Sequence, residues 1–237
     1  SEVLVSLVQA AALVFFAAIY TLTPKAFPPT VPFEPVPIAL GFYLLFTLAR
    51  STLALHGRLR RGLLVASAAI DVAVLMVTIW SFHLQYGQPA AMYLRAPTLM
   101  YLFVLIALRA LRFEPGLVLL TGGLGALGWL VLLGWALAEQ PSVGVTRSFP
   151  EYAMSYAILI GAEVDKVLSI LATTAILALA LHRGRKLLVR AATEQQAAAD
   201  LSRFFAPEVA GRIRNESLEL RPGQAELPFV REASWKR

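Results

Sequence analysis

The sequence predicts an all-α membrane protein of six transmembrane helices, the sixth extended into a long cytoplasmic helix, assembled as a parallel homodimer. Three observations lead there. First, 58% of the 237 residues are hydrophobic and only 15% charged, with a mean hydropathy of +0.67. A soluble domain carries about a quarter charged residues, so this chain has too little polar surface to cover itself. Second, apolar runs long enough to cross ~30 Å of hydrocarbon recur along it. Third, the stretch from Gly161 to Phe205 changes character halfway. Val167 to Leu181 carries no charge, and the remainder of the stretch is alanine-rich and basic. Only Gly184 interrupts helical propensity there, at about 1 kcal/mol against alanine.

Val3 to Leu22 is the first span; it lacks a basic leader and a small-residue cleavage site, so it does not read as a signal peptide. Thr23 to Pro37, with Pro24, Pro28, Pro29, Pro32, Pro35 and Pro37, reads as a non-helical outer loop. Ile38 to Leu55 is the second span and Gly62 to Leu84 the third, broken only by Asp71. After a polar turn at Gln85 to Ala91, Met92 to Leu111 is the fourth. A tight inner turn at Glu114-Pro115-Gly116 leads into the glycine-rich fifth, Leu117 to Ala138. Glu139 to Pro150 is a second outer loop, and Tyr152 to Ile160 an interfacial helix. Glu163 to Leu181 is the sixth span.

Charge sets the orientation. Arg58, Arg60, Arg61, Arg109, Arg112, Arg183, Arg185, Lys186 and Arg190 flank one side, against Lys25, Arg95, Arg147 and Lys166 on the other. The positive-inside rule then places both termini in the cytoplasm. The same rule explains the net charge of +6 without nucleic-acid binding. Cysteine is absent, which removes disulfides, thiolate chemistry and Cys-ligated zinc. Phosphate loops and Ser-His-Asp patterns are not present either.

Beyond His182, Leu187, Ala191, Glu194, Ala198, Leu201 and Phe205 are spaced by alternating steps of four and three. This is a short heptad seam with Glu194 inside it. It reads either as a parallel coiled coil between two chains or as a solvated alanine-rich helix.

Asp71 is the sharpest candidate residue. At 1.5 Å per residue from Arg61 it lies ~15 Å deep, where a carboxylate costs roughly 2.5–3.5 kcal/mol and calls for an interior partner. Arg50 is the nearest base in depth and Tyr101 another donor; a structural pair and a functional site are both open. Glu163, Asp165 and Lys166 cluster at the outer start of the sixth span, with Glu163 and Lys166 spaced to pair on one helix face. They read as an interface anchor or as an extracytoplasmic ligand site. Gly122, Gly125 and Gly128 form a small-residue stripe for close helix packing, within one subunit or across a dimer. His56 and His182 lie at equal depth, as a bis-histidine heme requires. Their exposed settings beside Arg58 and Arg183 argue against one, and His83 stands alone at the outer end.

The segment Ser202-Arg-Phe-Phe-Ala-Pro-Glu-Val-Ala-Gly-Arg-Ile213, followed by Pro222-Gly223-Gln-Ala-Glu226, resembles the junction before the catalytic domain of bacterial class III adenylate cyclases. LIALRALRFEPGLVLL (105–120) and ILIGAEVDKVLSIL (158–171) are similar, more loosely, to the membrane anchors of such enzymes. The resemblance implies a parent that makes cyclic AMP from ATP with Mg or Mn, in the bacterial inner membrane. It also implies residues 1–182 as anchor and sensor, 183–213 as signalling helix, and 214–237 as linker. The family holds its two metal ions through two aspartates in and after its first catalytic strand. Neither aspartate is present here, and Glu226 and Glu232 do not replace them. No catalytic residue, metal or cofactor is therefore expected in this chain, which should make no cyclic AMP alone. The final Trp235-Lys-Arg237 does not fit the strand and reads as an engineered or truncated end. The expected partners are the bilayer, a second copy of the chain and a small lipophilic or extracytoplasmic ligand. The competing readings are a heme-bearing redox-sensing anchor, a small transporter and the anchor of another output domain.

Overall fold

A computed structural model describes residues 2–25, 31, 33–55, 61–139 and 144–204. The elements are α1 (Glu2–Leu22), α2 (Pro35–Leu55), α3 (Arg61–Tyr86), two 3₁₀ turns (Ala90–Arg95 and Pro97–Met100), α4 (Tyr101–Ala110) and α5 (Pro115–Glu139). They continue as β1 (Val145–Thr146), α6 (Phe149–Met154), β2 (Ile158–Leu159) and α7 (Ile160–Phe204). Among the described residues, four helices are long and apolar enough to cross a membrane, within α2, α3, α5 and α7. Leu7–Leu22 and Pro97–Ala110 are shorter apolar helices. The chain is a membrane-embedded helical protein. It divides into two units inside α7, after Arg185.

In the first unit, α3 and α5 form the centre. Ala68, Val72 and Ile79 line the buried side of α3, and Val118, Ala126 and Trp129 that of α5. The glycines of α5 decide how closely its neighbours come. A Cβ at Gly122 would lie 1.9 Å from Thr174 Oγ1 on α7, at Gly125 2.5 Å from Leu102 on α4, and at Gly128 2.9 Å from Met76 on α3. Each of the three thus admits a different helix of the same chain. Without a hydrophobic drive between helices in lipid, such close backbone approach is a main source of cohesion.

Several expectations need correction. The fourth segment is not one helix over Met92 to Leu111. Pro97 has no N–H and pushes the residue before it out of the helical region, so Ala96 sits at φ −64°, ψ 125°. The polypeptide therefore makes two 3₁₀ turns before α4 starts at Tyr101. Likewise Tyr152 to Ile160 is not a helix: α6 ends at Met154, and Ile158–Leu159 pairs in parallel with Val145–Thr146. The described residues thus include a short parallel β pair. Helix α2 begins at Pro35, inside the stretch expected to be non-helical, because proline is well tolerated in a first turn. For the same reason α5 starts at Pro115. The reversal before it falls at Arg112–Phe113, with Phe113 at φ 53°.

Candidate functional site

The α3 face bearing Ser67 and Asp71, one turn apart, meets the last turn of α4. Arg109 donates through Nη2 to Asp71 Oδ2 and through Nη1 to Ser67 Oγ at 3.4 Å. Both members of the ion pair are 1% exposed. Two charges inside a bilayer-sized core are tolerable only when matched in this way. The expected partners of Asp71 take other positions. Arg50 is buried and within electrostatic reach of Asp71, yet its Nε and Nη2 have no hydrogen-bond partner. Tyr101 packs against Phe16 with ring centroids 4.7 Å apart and the rings tilted by 57°. The ion-pair partner of Asp71 is Arg109.

Asp71 has a second oxygen. Oδ1 is buried without a hydrogen bond, as are Tyr43 Oη on α2 and Gln9 Oε1 on α1. Tyr43 stands within reach of the Asp71 carboxylate, and neither Tyr43 Oη nor Asp71 Oδ1 completes a hydrogen bond of good geometry. All three residues line one cavity of about 380 Å³ between α1, α2, α3 and α4. Its walls are mainly apolar, from Leu13, Phe16, Leu40 and Leu75 among others. Toward the ends of α1 and α3 it reaches Lys25 and Tyr86. There Tyr20 donates to Glu34, which also accepts from Lys25 Nζ at 3.0 Å. These two donors, Tyr20 foremost, hold the Glu34 carboxyl below its ordinary value of 4.5. The clasp ties the end of α1 to the start of α2.

A second polar cluster joins α5, α7 and the first 3₁₀ turn. Glu163, 1% exposed, accepts from Trp129 Nε1 at 2.9 Å and from Lys166 Nζ at 2.7 Å. Lys166 also donates to the Leu94 carbonyl at 2.6 Å and lies over the Trp129 ring at 5.0 Å. That carbonyl would have joined a continuous helix had Pro97 not intervened, and in a bilayer it must find a donor within the protein. Arg95 works similarly, donating to the carbonyls of Tyr152, Ser155 and Ala157 and stacking on Tyr152 at 4.4 Å. Both Glu163 oxygens are engaged, so this cluster fastens a broken segment and offers no open valence. Asp165 is exposed and takes no part.

No family model, curated protein or solved structure matches this chain.

His182 is exposed and His56 lies outside the described residues. His83 is buried, hydrogen-bonded to the Trp80 carbonyl, with its ring against Trp80 and Tyr93. In α7, Leu187 is 66% exposed, and Ala191 and Ala198 are exposed as well. The Leu201 side chain and Phe205 lie outside the described residues. Sequence reasoning missed Arg109, Tyr43 and Gln9 as site residues. A signal existed for two of them: an amide inside the first span and a phenol inside the second both require partners in lipid.

Proposed function

We propose that this chain is the membrane anchor, dimerising element and regulatory sensor of a class III adenylate cyclase. Residues 1–182 form its six-crossing membrane part in a bacterial inner membrane, with both termini cytoplasmic. Residues 183–213 are the signalling helix, and 214–237 link it to the catalytic domain. The observation that supports this best is α7 itself, a single helix from Ile160 to Phe204. Thr174 fixes its first half against Gly122, while every described side chain from Arg185 to Ala199 is exposed. A leucine and alanine stripe of that kind gains burial only against a second chain. The resemblance of SRFFAPEVAGRI (202–213) to the cyclase junction supports this choice of output domain. Six crossings count α1, ~31 Å long at 1.5 Å per residue, and the broken segment from Ala90 to Ala110.

In this reading the chain performs no chemistry. It would hold two catalytic domains at a set distance and rotation, where two metal ions would assist attack of the ATP 3′-hydroxyl on the α-phosphate with pyrophosphate as the leaving group.

A fusion tests both output and topology. Residues 1–223 joined to the catalytic domain of a homodimeric class III cyclase, in a cyclase-deficient bacterium, should give membrane-bound cyclic AMP synthesis. The yield should be several-fold above the same catalytic domain expressed untethered at equal abundance. A stable membrane-inserted fusion with no gain, or with no activity because its C-terminus is outside, overturns the proposal.

A further inference from the structure

We infer that the cavity between α1, α2, α3 and α4 binds a small lipophilic molecule whose head carries a hydroxyl group. Three buried polar atoms without partners converge on one apolar space: Asp71 Oδ1, Tyr43 Oη and Gln9 Oε1. Each comes from a different helix. A single missing bond could be local slack; three around one cavity leave a set of hydrogen bonds for an occupant to complete.

The atoms specify the head. Asp71 Oδ1 and Gln9 Oε1 only accept, while the Tyr43 hydroxyl donates and accepts. An alcohol or phenol complements this set, because its O–H donates to Asp71 or Gln9 and its lone pairs accept from Tyr43. A ketone or ether could engage Tyr43 alone, and a carboxylate would place a second negative charge beside Asp71. The walls specify the body, since Leu13, Phe16, Leu40 and Leu75 ask for aliphatic or aromatic carbon. The size of about 380 Å³ falls within the range of small-molecule sites. At roughly 30 Å³ per water-sized unit it holds on the order of a dozen heavy atoms, the size of a medium-chain alcohol or alkylphenol. The site is connected to the rest of the bundle through Asp71, whose other oxygen is held by Arg109 of α4. Binding is read on this chain alone, so its outcome is separate from that of the cyclase proposal.

The test uses the full chain in lipid nanodiscs and a diazirine-bearing analogue of 1-dodecanol. Light-driven labelling should saturate and map to peptides of α1 to α4. 1-Dodecanol should compete at least about tenfold better than 1-methoxydodecane or dodecanoate. Tyr43→Phe should weaken binding roughly five- to tenfold, the value of one neutral hydrogen bond. Ala12→Phe and Ala39→Phe, which fill the space from α1 and α2, should abolish saturable labelling. Tyr43→Phe removes one oxygen and leaves the packing intact, so it decides the matter if either filling variant fails to fold. Labelling that does not saturate, equal competition by the ether, or indifference to Tyr43→Phe would mean a space filled by bulk acyl chains, and would overturn the inference.

Discussion

Arg109 shows why a sequence gives up a buried charge so readily and its partner so reluctantly. Asp71 stands out because nothing else in its span is charged, and depth follows from counting residues. Arg109 looks like an ordinary basic residue at a helix end, serving the positive-inside pattern. What brings it to Asp71 is the packing of the last turn of α4 against α3, which hydropathy does not show. The pair makes a specific expectation. Arg109→Leu alone leaves a buried carboxylate unpaired and should cost ~3–5 kcal/mol, whereas Asp71→Leu with Arg109→Leu should recover most of it. Unfolding titrations in mixed micelles, run as a double-mutant cycle, measure the coupling. Additive losses would mean the two residues stabilise the bundle independently.

At the scale of elements, the glycine stripe of α5 was legible as packing, but its partners were not. Gly122, Gly125 and Gly128 are three residues apart, so they turn progressively around the helix and meet α7, α4 and α3 in turn. Periodicity reveals small residues; only the assembled bundle says which neighbour each admits. Gly122→Val should therefore destabilise the bundle strongly, because even its Cβ would lie on Thr174. Gly123→Ala and Gly134→Ala, which meet nothing within 4 Å, should shift stability by less than about 1 kcal/mol. The same unfolding titrations separate these outcomes, and equal losses at Gly122 and Gly123 would remove the packing role. The broken fourth segment was hidden for a related reason. An apolar average over Met92 to Leu111 hides the donor lost at Pro97, and Lys166, which bonds the Leu94 carbonyl of the broken segment, belongs to a polar cluster read separately.

At the scale of the molecule, membrane residence follows from composition, and α7 follows from helix propensity carried across a change in polarity. The site between α1 and α4 follows from neither, because it depends on where four helices leave a gap. The central claim is that α7 transmits rotation or spacing from the membrane to an output domain. One added residue turns everything beyond it by ~100°, while seven restore heptad phase to within ~20°. The decisive measurement is cyclic AMP synthesis by the fusion carrying one or seven residues inserted between Val189 and Arg190. The single insertion should remove most of the activity or its regulation, and the seven-residue insertion should recover much of it. If both fusions match the uninterrupted one, α7 is a tether and the claim fails.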